Sequence, residues 1–294
     1  MSLFREMSSS QGKQRTLKQE VSLAGTGLFT GSKVHMRFCP APENTGIIFK
    51  RTDLEGHPTC PALAHHVIDT PRCTIIGRGK CTIQSVEHVL AAIAGYGIDN
   101  LYIELHGPEV PIGDGSAVPF IDMIEEAGIS FQNAKKQWHR ITTPIFWTSG
   151  DVHLVALPYD EFRISYTLNY PNSKLLRSQF YTFAYNEQAF KEEIAPCRTF
   201  SLYEEIVPLI EKSQIKGGSL ENALVIKGDA VLNPEGLHFP DEMARHKILD
   251  MIGDLSLTGM LIQAHIIALR SGHRSNTAFA KEIVNALSAE LAAV

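Results

Sequence analysis

The chain has 294 residues, 44% apolar and 20% charged, with a formal net charge of −5. That length suits two ordinary domains with real cores, and the lack of any long Lys/Arg run argues against a nucleic-acid partner. No stretch is apolar enough to span a membrane, and the first residues lack the apolar core of a signal peptide. A cytoplasmic protein is expected, with residues 1–14 as a flexible tail.

A first α+β domain is expected over residues 15–132. Residues 33–38 and 45–50 are short alternating or β-rich runs, with Pro, Gly and Asn between them. Ser85 suits the N-cap of a helix from Val86 to about Ala94, whose apolar face is Val86, Val89, Leu90 and Ile93. Gly95 and Gly97 end it. Residues 101–105 then alternate as a strand, a turn follows at 113–116, and 118–127 reads as a second helix. The polar, basic stretch 133–140, with Lys135, Lys136 and Arg140, is expected to be a linker. The second domain, 141–294, repeats the plan: strands over 145–147, 152–157 and 162–168, then helices, a strand and a closing helix. Five cysteines, Cys39, Cys60, Cys73, Cys81 and Cys197, form no Cys-x-x-Cys pair and are read as reduced, buried thiols.

Two short runs carry the chemistry: Ser85-Val86-Glu87-His88 and Arg245-His246-Lys247-Ile248-Leu249-Asp250. On a helix, His246 and Asp250 project from one face, which is half of a catalytic zinc site. Such a site takes three protein ligands and leaves one position open. His88 is the natural third ligand, with Glu87 beside it as a general base. The helix has an apolar stripe of Ile248, Met251, Ile252 and Leu255. On its other side His246, Asp250 and Asp254 face either water or another domain.

An internal repeat bears on that choice. Residues 88–95 and 246–253 align without a gap, His with His and Gly with Gly, and a strand follows each. A duplicated α+β unit would let the two helices face each other, each giving a histidine to a site between domains. The expected fold is therefore two similar α+β domains, each a sheet layered with helices.

These residues, together with Gly97-Ile98-Asp99-Asn100, residues 108–117, Cys197-Arg198-Thr199-Phe200 and Ser271-Gly272-His273, resemble the zinc-dependent UDP-3-O-acyl-N-acetylglucosamine deacetylases. Further matches lie at 25–28, 40–42, 44–46 and 51–53, so the likeness runs in order over about residues 15–290. It implies hydrolysis of the N-acetyl group of a UDP-sugar lipid, the committed step of lipid A synthesis in Gram-negative bacteria. One zinc per chain is implied, ferrous iron suits the same ligands, and a monomer is expected. Relatives usually carry a histidine in the early glycine-rich turn where this chain has Phe29.

The resemblance also implies roles. His88, His246 and Asp250 are the metal ligands, and Glu87 is the base. His273 protonates the departing amine, and Asp254 orients His273 and keeps it charged. Thr199 donates to the oxyanion, its alternative being a helix N-cap. Lys247 meets the diphosphate. An insert at about 195–220 offers an acyl passage with Leu202, Ile206, Leu209 and Ile215, and Gly218 allows close approach. Phe200 packs on the sugar or uridine side, and Cys73 lies near the site. Two rival readings share the ligands: an amidase or peptidase for a non-nucleotide substrate, and a binding module whose structural metal is closed by a fourth ligand.

Overall fold

The computed structural model describes residues 12–292 except 172 and 174. In chain order, the first half holds β1 (Lys13–Leu17), β2 (Val21–Thr26), β3 (Lys33–Pro40), β4 (Ile47–Arg51), β5 (Thr59–Pro61), β6 (Val67–Asp69), β7 (Ile75–Arg78) and β8 (Cys81–Ile83). Helix α1 (Glu87–Gly95), β9 (Leu101–His106), α2 (Val118–Ala127) and β10 (Ile129–Lys135) follow. The second half holds β11 (Trp138–Arg140), β12 (Ile145–Ser149), β13 (Val152–Leu157), β14 (Phe162–Tyr170) and β15 (Arg177–Ala184). After them come β16 (Phe200–Leu202), α3 (Tyr203–Glu211), β17 (Leu224–Lys227), β18 (Ala230–Val231), α4 (Glu242–Ser256), β19 (Leu261–Leu269) and α5 (His273–Ala292).

The two large sheets share one plan. The first runs β2-β3-β9-β4-β5 and the second β12-β13-β19-β14-β15. In each, the pairing along the row is antiparallel, antiparallel, parallel, antiparallel. Helix α1 leads into β9 as α4 leads into β19, so the two halves have the same order of helix and strand around their sheets. The inward side chains alternate as a half-buried strand requires: Val34, Met36 and Phe38 are buried on β3, whereas Lys33 and His35 are exposed. Each half adds a small sheet, β6-β7-β8 in the first and β16-β17-β18 in the second. The second small sheet spans residues 200–231, so it overlaps the stretch expected at about 195–220 and continues past it.

Three local expectations are corrected. Of the tail expected over 1–14, residues 1–11 lie outside the described residues, while Lys13 and Gln14 already belong to β1, paired with β10. The stretch 133–140 is mostly strand: it holds the end of β10 and all of β11, which adds to β19. Its backbone bonds are thus made to neighbouring strands rather than to water, as an open linker's would be. Ser85 does not cap α1. It adopts φ 61° and turns its hydroxyl to Glu109 Oε1 at 2.9 Å, leaving Val86 as a cap without a side-chain bond.

Helices α1 and α4 pack on each other inside one continuous hydrophobic core, and α4 also lies against β14 and β15. All of α1 is buried except Ala94, and α4 is buried from Ile248 through Leu255. Gly253 makes the contact close, since a Cβ there would overlap the backbone carbonyl of Glu87. The polar stripe of α4 therefore faces α1, and His246, Asp250 and Asp254 are 1%, 2% and 0% exposed. No helix among the described residues is long and apolar enough to cross a membrane.

Candidate metal centre and its cavity

Where α1 and α4 meet, three donor groups converge. Asp250 Oδ1 lies 3.2 Å from His246 Nε2 and 3.5 Å from His88 Nε2, and the two imidazoles stand edge-on with centroids 5.0 Å apart. Their candidate ligand atoms all fall within 4.8 Å of one another. The i,i+4 spacing on α4 supplies two of them, and the first residues of α1 supply the third.

The donor chemistry fits a metal ion. His246 Nδ1 sits 3.0 Å from the Cys197 carbonyl; with the proton on Nδ1 donated there, the Nε2 lone pair is free to ligate. Burial lowers the pKa of His88, favouring the neutral imidazole that a ligand must be. Asp250 Oδ1 is buried and makes no hydrogen bond. An orphaned buried carboxylate oxygen between two imidazole nitrogens is costly unless a cation sits there. Burial opposes ionisation of Asp250, yet His246, Lys247 and His273 hold its carboxyl well below the usual range.

A second cluster adjoins the first. His273 Nδ1 lies 3.0 Å from Asp254 Oδ2, and its Nε2 is 3.7 Å from Glu87 Oε1 and 3.9 Å from Asp250 Oδ2. Burial would lower the pKa of His273, but Asp254, Glu87 and Asp250 overrule it and lift it to about 9. Burial pushes Glu87 up to about 7, with the nearby His273 pulling the other way. The arrangement thus holds a carboxylate ready to accept a proton beside a cation ready to give one.

Both clusters open onto a cavity of about 490 Å³ whose lining includes Glu87, His88, Asp250 and His273. Thr199, Phe200, Leu202, Ile206, Ile215, Gly218 and Lys247 also line it. Thr199 is held by its backbone, its N–H donating to Gly115 O at 2.8 Å; the cap of α3 is Leu202, so Thr199 is not an N-cap. Phe29 is part of the wall, its N–H donating to the buried Glu109. Lys247 does more than was expected of it: Nζ reaches Asp250 Oδ2 at 2.7 Å.

Cys73 does not line the cavity. It is buried, receives Gln84 Nε2 at 3.5 Å, and burial pushes its thiol up to about 12. Leu209, offered with the passage, is also not among the lining residues. A second cavity of about 580 Å³ shares Tyr170, Leu202, Glu205 and Lys247 with the first, and adds Asn169 and Arg270.

Sequence reasoning missed several supports. The Cys197 carbonyl is invisible in a side-chain pattern. Asn276 donates to Asp254 Oδ2 at 3.0 Å, and its i,i+3 spacing from His273 at the start of α5 was a readable signal. Thr74, which touches both Glu87 and Asp254, lies in a loop with no motif of its own.

Comparison with known proteins agrees with this geometry. The UDP-3-O-acyl N-acetylglycosamine deacetylase family matches residues 14–285. The UDP-3-O-acyl-N-acetylglucosamine deacetylase of Chlamydia pneumoniae is 47% identical over 275 residues, covering 93% of this chain and 98% of its own. The enzyme of the same name from Chlamydia caviae is 47% identical over 274 residues, with the same coverage. That of Chlamydia trachomatis serovar L2 is 44% identical over 277 residues, 94% of this chain and 96% of its own. With nearly the whole length matched and the donor set assembled, the chain belongs to the UDP-3-O-acyl N-acetylglycosamine deacetylase family.

Proposed function

We propose that the protein hydrolyses the N-acetyl amide of UDP-3-O-(3-hydroxyacyl)-N-acetylglucosamine, releasing acetate and a free glucosamine amine, as the committed step of lipid A synthesis. The observation that carries this reading is the convergence of the His88, His246 and Asp250 donors with Glu87 and His273 beside a largely apolar cavity.

His88, His246 and Asp250 would hold one zinc ion, and ferrous iron suits the same donors. When bound, the metal supplies Lewis acidity to the attacking water and to the amide carbonyl. Glu87 takes the proton that water gives up as it attacks. The Thr199 hydroxyl donates to the developing oxyanion. His273, kept cationic by Asp254, protonates the amine nitrogen as the C–N bond breaks. Leu202, Ile206, Ile215 and Gly218 accommodate the acyl chain. Lys247 and Arg270 supply positive charge for the diphosphate, and Phe200 and Tyr170 offer ring surface for the sugar and uridine. The protein acts as a monomer in the cytoplasm.

The test is acetate release from that nucleotide sugar by protein as purified, stripped of metal, and refilled with one zinc per chain. Loss on stripping and recovery with zinc supports the reading. A folded, zinc-loaded protein that leaves the substrate intact overturns it and directs the search to other amides.

A further inference from the structure

We propose that Thr74 is a positioning residue that keeps the proton-transfer pair Glu87 and His273 in register across the two halves of the chain. The inference rests on the reading of that pair as acid and base given above.

Thr74 is fully buried in the loop before β7 and uses all three of its polar groups at the site. Its carbonyl accepts from Val86 N at 3.3 Å, its N–H donates to Glu87 Oε2 at 2.9 Å, and its hydroxyl donates to Asp254 Oδ1 at 2.6 Å. The last bond joins residues 180 apart in sequence. Glu87 is thereby held by Oε2, leaving Oε1 on the side of His273.

Asp254 is wholly buried, and its Oδ2 already receives His273 Nδ1 and Asn276 Nδ2. Among the described residues, the donor on Oδ1 is Thr74. Remove that hydroxyl and a buried carboxylate oxygen loses its partner, which costs more than the bond itself was worth. The carboxylate then turns to share its other donors, and the His273 ring turns with it. Valine has the shape of threonine without the hydroxyl, so Thr74→Val deletes this bond while leaving the backbone bonds to Val86 and Glu87.

The experiment compares zinc-reconstituted wild type, Thr74→Val, Thr74→Ser, Asp254→Asn and the Thr74→Val/Asp254→Asn double variant, measuring kcat, KM and bound zinc. Thr74→Val is expected to lose about 10- to 100-fold in kcat, the usual range for groups that orient a site's working residues. KM and zinc content stay near wild type, and Thr74→Ser recovers most of kcat. The double variant turns over no more slowly than Asp254→Asn alone, because Thr74 acts through Asp254. If Thr74→Val does not fold, Thr74→Ser against Thr74→Ala isolates the hydroxyl, since both lack the methyl. An active wild type with an unimpaired Thr74→Val, no rescue by serine, or losses that multiply in the double variant each overturn the inference alone. A zinc-loaded wild type inert on the nucleotide sugar overturns the reading beneath it, and the inference with it.

Discussion

Glu87 Oε1 and His273 Nε2 stand 3.7 Å apart, one from the first turn of α1 and the other from the first residue of α5. Each alters the other's proton affinity, the carboxylate lifting the imidazole and the imidazolium restraining the rise of the carboxyl. Their pKa values straddle a window in which the base is free and the acid is charged.

Turnover should therefore follow a bell-shaped pH profile. Glu87 must lose its proton to serve as base, so activity rises through about pH 7. His273 must keep its proton to serve as acid, so activity falls through about pH 9. Glu87→Gln should lower kcat by about 10²- to 10⁴-fold with zinc still bound. His273→Ala should remove the alkaline limb as well as most of the rate. Steady-state kinetics from pH 5 to 10 check both, and a folded Glu87→Gln with wild-type turnover would refute the role of Glu87.

Metal removal should leave a folded but less stable protein. The three donors lie on helices packed into the common core, whose apolar contacts are made by residues other than the donors. Bound zinc nevertheless favours the native state by mass action, about 2.7 kcal/mol at a hundredfold excess over its Kd. Thermal unfolding with and without chelator should show a lower Tm for the stripped protein. Asp250→Asn should abolish that difference along with zinc uptake, and an undiminished zinc content in the variant would contradict the ligand assignment.

The helix crossing should tolerate no side chain at Gly253. An added Cβ meets the Glu87 carbonyl, which is backbone and cannot swing aside. Gly253→Ala, normally helix-stabilising, should instead cost about 1–3 kcal/mol through overpacking, and should reduce activity by moving α1 relative to α4. Denaturant unfolding and turnover measure the two effects, and an alanine variant more stable than wild type would show that the helices part without cost.

Acid stability should depend in part on Asp53. Hydrogen bonds from the buried Arg51 guanidinium, at 2.8 and 2.7 Å, lower its carboxyl to about 2. Because the folded pKa lies below the unfolded value near 3.9, the stabilisation is present above about pH 4 and is lost as pH falls toward 2. Asp53→Asn should cost about 1–2 kcal/mol at neutral pH, allowing for partial solvent screening, and that cost should shrink below pH 4. Unfolding curves at pH 7 and pH 3 provide the comparison, and a penalty that grows on acidification would reverse the sign argued here.

Local sequence determined a good part of this protein. The i,i+4 spacing of His246 and Asp250, the Glu87-His88 pair, the period-two strands and the gapless match of 88–95 with 246–253 are all short-range patterns, legible because helix and strand geometry alone fixes which side chains share a face. What only the tertiary structure decided is where those faces point. The polar stripe of α4 is by composition compatible with water, but Gly253 seats it on α1; 133–140 has a linker's composition, but its backbone pairs with neighbouring strands. Ser85 had a capping residue's chemistry, but Glu109 claimed its hydroxyl. Thr74 and the Cys197 carbonyl matter through bonds to groups 180 and 49 residues away. Burial, and the competition among distant partners for each hydrogen bond, are properties of the assembled chain, and no local pattern encodes them.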